Sequence, residues 1–359
     1  MFNNIYKGKT VLLTGHTGFK GSWLALWLHQ MGAKVIGYSK DYPSKPNHFE
    51  LLKLDIVSIN GDIRDFNHLK KVFDTYQPDI VFHLAAQALV RFSYQEPVET
   101  FSTNVMGTIC LYENALQCAS VKAFVNITSD KAYENREWVW GYRENDPMGG
   151  HDPYSASKGC AELVTSSYRN SFFQHTDKLL ASARAGNVIG GGDWAADRLV
   201  PDIFKATSQN EAAKIRNPKA TRPWQHVLEP LSGYLLLGQK LLEGDKSIAD
   251  GWNFGPNDED TREVSKVVSA ITNNWDKVQF DIQQDPNQPH EANLLKLDCS
   301  KALTYLNWKP VWHFDDTIKY TTNWYKDFYT NLDLNVNERS LQDLEAYIQS
   351  AKEKGLGWV

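Results

Sequence analysis

The chain is predicted to be an α/β protein, a doubly wound parallel sheet carrying a smaller C-terminal lobe. Three observations lead there. Short apolar runs alternate with amphipathic stretches between residues 9 and 190, the pattern of strands joined by helical crossovers. The first run opens into a glycine-spaced loop, Thr14-Gly15-His16-Thr17-Gly18-Phe19-Lys20-Gly21. Beyond Gly186 the alternation gives way to Gly-, Pro- and Trp-containing loops (GGGDW, TRPWQHV, GWNFGPND).

Taken in order, the apolar runs predict strands over 10–14, 34–38, 79–84, 123–127 and 179–184. Amphipathic stretches predict helices over 18–31, 66–76, 98–118 and 154–171. Parallel strands need crossovers of this length, which are right-handed almost without exception. Residues 1–185 are therefore expected to form a first domain. Residues 186–359, with helices over 228–242 and 263–274, are expected to form a smaller lobe interleaved with it. Gly190-Gly191-Gly192 has no strand-to-helix context and reads as a flexible turn.

The chain of 359 residues is 42% hydrophobic and 23% charged, enough for a sizeable core. A net charge of -5 and a pI near 6.1 argue against a general electrostatic grip on nucleic acid or an anionic membrane. The opening MFNNIYKGKT has no apolar signal core, and no run of about 18 apolar residues spans a bilayer. Cys110, Cys118, Cys160 and Cys299 lack metal or disulfide spacing, so no metal is expected and a reducing cytoplasm fits. Most of the tryptophans are expected to pack in the core or loops, a minority to wall a pocket.

The glycine loop, placed between the first strand and first helix, suits a dinucleotide. Gly15, Gly18 and Gly21 permit a tight turn, close approach of backbone amides to a pyrophosphate, and close helix packing. This makes the first domain Rossmann-type. The second strand ends in Tyr38-Ser39-Lys40, with Asp41 slightly late, so its end allows NAD or NADP. Asp62, in Asp62-Ile63-Arg64-Asp65, is a candidate contact to the adenine amino group, and Asp65 a helix N-cap.

The strand over 123–127 runs into Thr128, Ser129, Asp130 and Lys131, and Tyr154-Ser155-Ala156-Ser157-Lys158 follows at a helix start. The last spacing puts a phenol and an ammonium on one face, where the cation can lower the phenol's pKa and make it a general base. A solvated turn pair is the ordinary meaning of Asp-Lys. At the carboxyl end of a central strand, where open α/β sheets place ligands, function is favoured.

TGHTGFKG, DIRD at 62–65, HLAAQ at 83–87, NVMGT around Asn104, ITS at 127–129, YSASK at 154–158, RAGNVIG at 184–190 and RPWQHV at 222–227 together resemble the extended short-chain dehydrogenases/reductases of the nucleotide-sugar-modifying branch. The resemblance implies a redox triad of Ser129, Tyr154 and Lys158. It places Gly15, Thr17, Gly18, Phe19, Gly21, Asp62, Ile63, Leu84, Ala85 and Asn104 along an NAD cofactor. It also implies homodimers, or tetramers built from them, through a four-helix bundle of the segments 98–118 and 154–171. The 4,6-dehydratases of this branch are similar in adding an acid and a base after the Ser/Thr. Asp130 is then the acid toward the hydroxyl on sugar carbon 6. Lys131 stands where many of them have a glutamate base for carbon 5, which leaves the base open. With YENREWVWGYRENDPMGG and RPWQHVLEPL, this departure most resembles the dehydratases that act on CDP-glucose in deoxysugar and lipopolysaccharide O-antigen biosynthesis. A 4-epimerase of a nucleotide sugar and a non-catalytic cofactor-sensing regulator are the alternatives; Tyr154 and Lys158 argue against the regulator.

In the second lobe, arginines in glycine-rich loops suit a diphosphate, so Arg198 and Arg222 are candidate clamps. Asn187, Asn253 and the segment 289–292 with His290 are further candidate contacts to sugar, phosphate or base. For Asn253 and His290, ordinary loop hydrogen bonds are an equal alternative.

Overall fold

A computed structural model describes residues 1–283 and 294–359. The segment 289–292, with His290, lies outside the described residues. Six strands come from the first half: Thr10–Thr14 (β1), Lys34–Ser39 (β2), Val57–Asn60 (β3), Ile80–His83 (β4), Ala123–Ile127 (β5) and Leu179–Arg184 (β6). Shorter ones follow at Val188–Ile189 (β7), Ala213–Ile215 (β8), Thr221–Pro223 (β9), Gln225–His226 (β10), Gly251–Asn253 (β11), Thr261–Glu263 (β12) and Phe280–Ile282 (β13). Seven of these form one sheet in the order β11-β6-β5-β4-β1-β2-β3, and every pairing in it is parallel. The chain leaves β1 toward β2 and β3, then crosses back to β4 on the other side. The carboxyl ends of β1 and β4 thus flank a switch point, the usual ligand crevice of such sheets.

Two strands escape the apolar pattern. β3 is a short edge strand, Val-Ser-Ile-Asn, largely exposed, and so has no apolar run to betray it. β11 is fully buried and extends the sheet beyond β6, with Gly251 opposite Ser182 and Asn253 opposite Arg184. Its glycine is needed there: a Cβ on Gly251 would stand 2.6 Å from an Arg184 guanidinium nitrogen. The helix Leu228–Leu242 also packs on β5 and β6. Residues beyond 186 therefore complete the first sheet, and the sequence division at 185/186 runs through it. β7 with β10, β9 with β12 and β8 with β13 form separate two-stranded pairs.

The expected continuous helix over 98–118 is Pro97–Phe101, a π-helical turn Ser102–Gly107, then Thr108–Gln117. π turns favour functional positions, and this one carries the buried Asn104. The triple glycine is also not a flexible turn. Gly191 lies against the Trp324 indole and its carbonyl accepts from Trp23 Nε1 at 2.8 Å, while Gly192 has φ +85° beside the His48 ring. Side chains would collide at both, so glycine serves packing here.

Trp23, Trp27, Trp252, Trp308 and Trp324 are among the largest fully buried side chains, and most tryptophans are core, as the pattern suggested. Buried Glu229 ties the C-terminal segments to helix Leu228–Leu242: its carboxylate accepts from Trp312 N at 2.7 Å, Val311 N at 2.9 Å and the Tyr347 hydroxyl at 2.8 Å. The four cysteines are free thiols. Among the described residues, no helix is long and apolar enough to cross a membrane.

Candidate active site

At the end of β1 the backbone turns at Gly15, with φ +76°, a conformation glycine adopts without strain. A Cβ there would stand 2.6 Å from Ala85 N and 2.8 Å from the Leu84 carbonyl carbon, so the loop lies directly on the chain leaving β4. Helix Phe19–Gln30 begins at Gly18 without a side-chain cap, which leaves the amides of its first turn to serve an anion. A pyrophosphate fits this cradle. His16 fills the space above Gly37, bonded to Ser39 Oγ at 3.0 Å and Ser58 Oγ at 2.7 Å. Burial pushes its pKa down to about 4, so it is a neutral wedge between strands.

At the adenosine end, the Asp62 carboxylate accepts from Arg64 N and Nε, both at 2.9 Å, and Lys40 lies 3.7 Å away. Arg64 also reaches Glu99. Asp65 caps the helix Phe66–Tyr76 through His68 N at 2.9 Å, as expected. Ser39, where an acid would face the ribose, is buried and accepts from Thr17 N at 3.4 Å. The Thr17 hydroxyl donates to Asp41 O at 2.7 Å. Ile63 is buried against Gly107 of the π turn. Asn104 is placed between loop and helix: its carboxamide binds both the N–H and carbonyl of Gln87 (2.8 and 3.0 Å) and Ser157 Oγ (2.8 Å). It therefore joins the segment after β4 to the helix of Tyr154, with both of its amide hydrogens engaged.

At the end of β5, Ser129 caps a 3-10 turn, Asp130–Ala132, by accepting from Lys131 N at 3.2 Å. Its hydroxyl donates to Asp130 Oδ1 at 3.0 Å. Asp130 is buried and lies against Gly186, where any Cβ would collide with its carboxylate. Tyr154 and Lys158 start the helix Pro153–Ser171, whose first turn is fixed by Pro153 and by Asp152, which accepts from Ser155 N at 2.9 Å. The Ser129 hydroxyl faces the Tyr154 phenol and favours its ionised form. Ser129, Asp130, Tyr154 and Lys158 thus come together, with half-buried Lys131 on the same turn.

The electrostatics differ from expectation in one respect. Burial raises the Tyr154 phenol above its ordinary pKa, and Asp130 adds to this, while the Ser129 hydroxyl and the charge of Arg198 lower it. Lys158 was expected to do the lowering. Its own ammonium is disfavoured, with a pKa brought down to about 8 by burial and then by Lys20, partly offset by Glu162. Arg198, held by Asp193 at 2.8 Å, therefore bears on the phenol from the second lobe. Arg222, on β9, is half-buried and donates to Thr221 O at 3.0 Å. Asn187 follows Gly186 with φ +37°, and its carbonyl accepts from Gln225 N at 3.4 Å. Asn253 is a correction: it is fully buried and both ends of its carboxamide are engaged, by the Tyr133 hydroxyl at 2.7 Å, Tyr142 O at 2.9 Å and Asp298 O at 3.1 Å. It is scaffold, not a ligand contact.

Sequence reasoning missed three contributors. Lys20 sits in the glycine loop itself; burial and Arg198 lower its pKa to about 8, and Asp130 raises it. Tyr234 is buried, and its ring lies 5.9 Å from the Lys20 ammonium. Glu162, one turn after Lys158, bonds Thr128, Ser182 Oγ at 2.7 Å and Arg184 at 2.8 Å behind the site. A charge in an otherwise apolar first turn, and the i, i+4 step from Lys158 to Glu162, were the available signals.

Replacing Lys158 with Met is expected to raise the melting temperature of the cofactor-free protein while removing turnover. A lysine pKa near 8 in the fold lies below its ordinary 10.5, so the unfolded chain binds more protons between those values and wild-type stability rises with pH across that window. Below it, the fold carries a buried ammonium at a cost on the order of 3 kcal/mol. The variant's advantage should be full at pH 7 and fade toward pH 10. A variant that melts no higher at pH 7 contradicts this.

The GDP-mannose 4,6 dehydratase family model matches residues 12–321. A CDP-glucose 4,6-dehydratase of Salmonella typhimurium is 53% identical over 348 residues, covering 95% of this chain and 97% of its own. The chain belongs to this family of nucleotide-sugar 4,6-dehydratases. It is thereby an extended short-chain dehydrogenase/reductase. Among solved structures, an epimerase of Methanothermobacter thermautotrophicus superposes with a TM-score of 0.79 at 24% identity, over 91% of this chain and 95% of that one. A dTDP-glucose 4,6-dehydratase of Bacillus anthracis, in complex with NAD, gives 0.75 at 20% identity, over 89% and 97%. At these identities the two confirm the Rossmann-type fold of the family member.

Proposed function

We propose that this chain is a hydro-lyase that converts CDP-D-glucose to CDP-4-keto-6-deoxy-D-glucose and water, with NAD retained. One observation carries the reading beyond redox chemistry: a buried carboxyl, Asp130, sits beside the Ser129–Tyr154 pair at the end of β5. A 4-epimerase needs the pair; only elimination needs the acid. The 53% identity to a CDP-glucose 4,6-dehydratase supports the same choice and the CDP nucleotide.

Tyr154, as phenolate, takes the proton of the carbon-4 hydroxyl, assisted by the positive charge of Lys158 and Arg198. NAD, when bound, supplies the hydride exchange from carbon 4 to carbon 6. Gly15, Thr17, Gly18, Phe19, Gly21, Asp62, Ile63, Leu84 and Ala85 would hold it, and Lys158 its ribose. Once carbon 4 is a ketone, the proton on carbon 5 is acidic, and Asp130 protonates the hydroxyl leaving carbon 6. Lys131 acts as the base when neutral, or stabilises the enolate when charged while a water takes the proton. Arg198, Arg222 and Asn187 hold the nucleotide sugar, the arginines through the diphosphate.

The first 185 residues form the cofactor-binding and catalytic part, and 186–359 the nucleotide-sugar lobe that threads back into it. Val98, Phe101 and Met106 on one helical segment and Leu163 on helix Pro153–Ser171 are exposed apolar side chains. They support a homodimer through a four-helix bundle, in a cytoplasmic enzyme. Product mass after incubation with CDP-, dTDP-, GDP- and UDP-glucose tests the function: loss of water from CDP-glucose supports it, and unchanged mass with all four refutes it. Asp130→Asn is expected to stall after oxidation, so that reduced-nicotinamide absorbance rises while dehydrated product fails to form. Normal product formation by this variant removes the acid from the mechanism.

A further inference from the structure

Arg198 is assigned above to the diphosphate, yet it is bonded to an acid. Its Nη1 donates to Asp193 Oδ2 at 2.8 Å, and the Asp193 side chain is 6% exposed against 37% for that of Arg198. A carboxylate beside an anion clamp weakens it by charge, because it repels the anion and neutralises part of the guanidinium. Its place there needs a positional reason.

Asp193 is itself held from several sides. The Tyr325 hydroxyl accepts from Asp193 N at 3.0 Å and donates to Asp193 O, while Asp193 Oδ1 accepts from Ala195 N at 3.0 Å. Tyr325 lies on the helix Phe314–Thr330 and is fully buried, its ring stacked on Phe204 of helix Leu199–Ser208 at 4.3 Å. On the other side, Gly191 O accepts from Trp23 Nε1 of the glycine-loop helix at 2.8 Å. The segment 191–193 is thus pinned between a cofactor-side helix and a C-terminal helix. Asp197, the acid next to Arg198 in the chain, pairs instead with Arg91 at 3.2 Å and Arg216 at 3.1 Å. Among the described residues, Asp193 is the one acid paired with Arg198. A single bond from one edge leaves the other guanidinium donors for a ligand, and the charge of Arg198 reaches both the Tyr154 phenol and Lys20.

We propose that Asp193, fixed in turn by Tyr325, is a positioning residue that holds the Arg198 guanidinium in place for the diphosphate, so that the C-terminal helix sets the affinity of the substrate site. This rests on the reading of Arg198 as a diphosphate clamp and deepens it. An arginine free on its stem loses rotamers when it clamps a ligand, and that entropy opposes binding. Anchored by Asp193, the side chain has lost them before the ligand arrives. Preorganisation outweighs the repulsion between Asp193 and the diphosphate, because the guanidinium that pairs with the acid stands between them. Asp193 and Tyr325 act only through Arg198.

Calorimetric titration of the NAD-loaded protein with CDP, together with steady-state turnover of CDP-glucose, tests this in a double-mutant cycle. Asp193→Asn keeps the size of the side chain and removes its charge. It is expected to weaken CDP binding about tenfold to a hundredfold, the range for one charge-assisted hydrogen bond, and to raise KM for CDP-glucose by a larger factor than it lowers kcat. Tyr325→Phe keeps the ring on Phe204 and loses the hydroxyl, so it should act in the same direction by a smaller factor. In an Arg198→Met background neither change should move CDP affinity by more than about twofold. If Asp193 merely neutralises the arginine, Asp193→Asn binds CDP as tightly as wild type or tighter, and the proposal falls. Equal weakening with and without Arg198 also overturns it, since Asp193 then acts through the fold. Should Asp193→Asn not fold, the cycle with Tyr325→Phe decides alone by the same signs. Arg198→Met that binds CDP like wild type refutes the clamp reading on which the proposal stands; the dehydratase reading fails separately, by unchanged product mass.

Discussion

Tyr154→Phe is expected to lower turnover by about a hundredfold to ten-thousandfold, the usual contribution of a positioned general base, while leaving the fold intact. The phenol is buried, with Ser129, Asp130 and the charge of Arg198 acting on it. Its ring packing survives in Phe, so melting should change little. Reduced nicotinamide should not accumulate either, because the block precedes oxidation; this separates the variant from Asp130→Asn, which stalls afterwards. A Tyr154→Phe enzyme with near-normal turnover excludes the phenol as base.

Arg184→Met is expected to destabilise the protein by about 3–5 kcal/mol, the typical cost of leaving a buried charge without its partner. Arg184 and Glu162 are 5% and 3% exposed and pair at 2.8 Å. Arg184 also donates to the Tyr133 hydroxyl at 2.6 Å, which continues to Asn253 at 2.7 Å, so one guanidinium links the helix of Lys158, the end of β6, the loop after Asp130 and β11. Removing it strands the Glu162 carboxylate with only Thr128 and Ser182. The double variant Arg184→Met/Glu162→Met should recover much of the loss, since the apolar pair leaves no uncompensated charge. Chemical denaturation measures both; a single variant within about 1 kcal/mol of wild type means that water reaches Glu162 and the network is not a structural centre.

The parallel sheet was readable in sequence because β1, β2, β4, β5 and β6 are buried on both faces along most of their length and are therefore largely apolar runs. β3 was hidden because an exposed edge strand has no such run, and β11 because its three residues become a strand only by pairing with β6. The π turn was hidden for a related reason: Ser102–Gly107 has ordinary helical composition, and its widened geometry accompanies the engagement of Asn104 by Gln87 and Ser157.

By itself, the sequence determined the chemistry that depends on neighbours along the chain. The glycine loop, the Ser129-Asp130-Lys131 turn and the Tyr154–Lys158 step are each set by spacing within one strand end or one helical turn, where geometry follows from backbone periodicity. Tertiary structure alone decided everything that depends on groups meeting from distant segments. It turned Asn253 from a candidate ligand contact into scaffold, brought Lys20 and Tyr234 to Asp130, and brought the charge of Arg198 to bear on the phenol's pKa from the second lobe. The physical reason is that burial and electrostatic coupling act through space and are fixed by packing, and neither leaves a periodic trace in the order of residues.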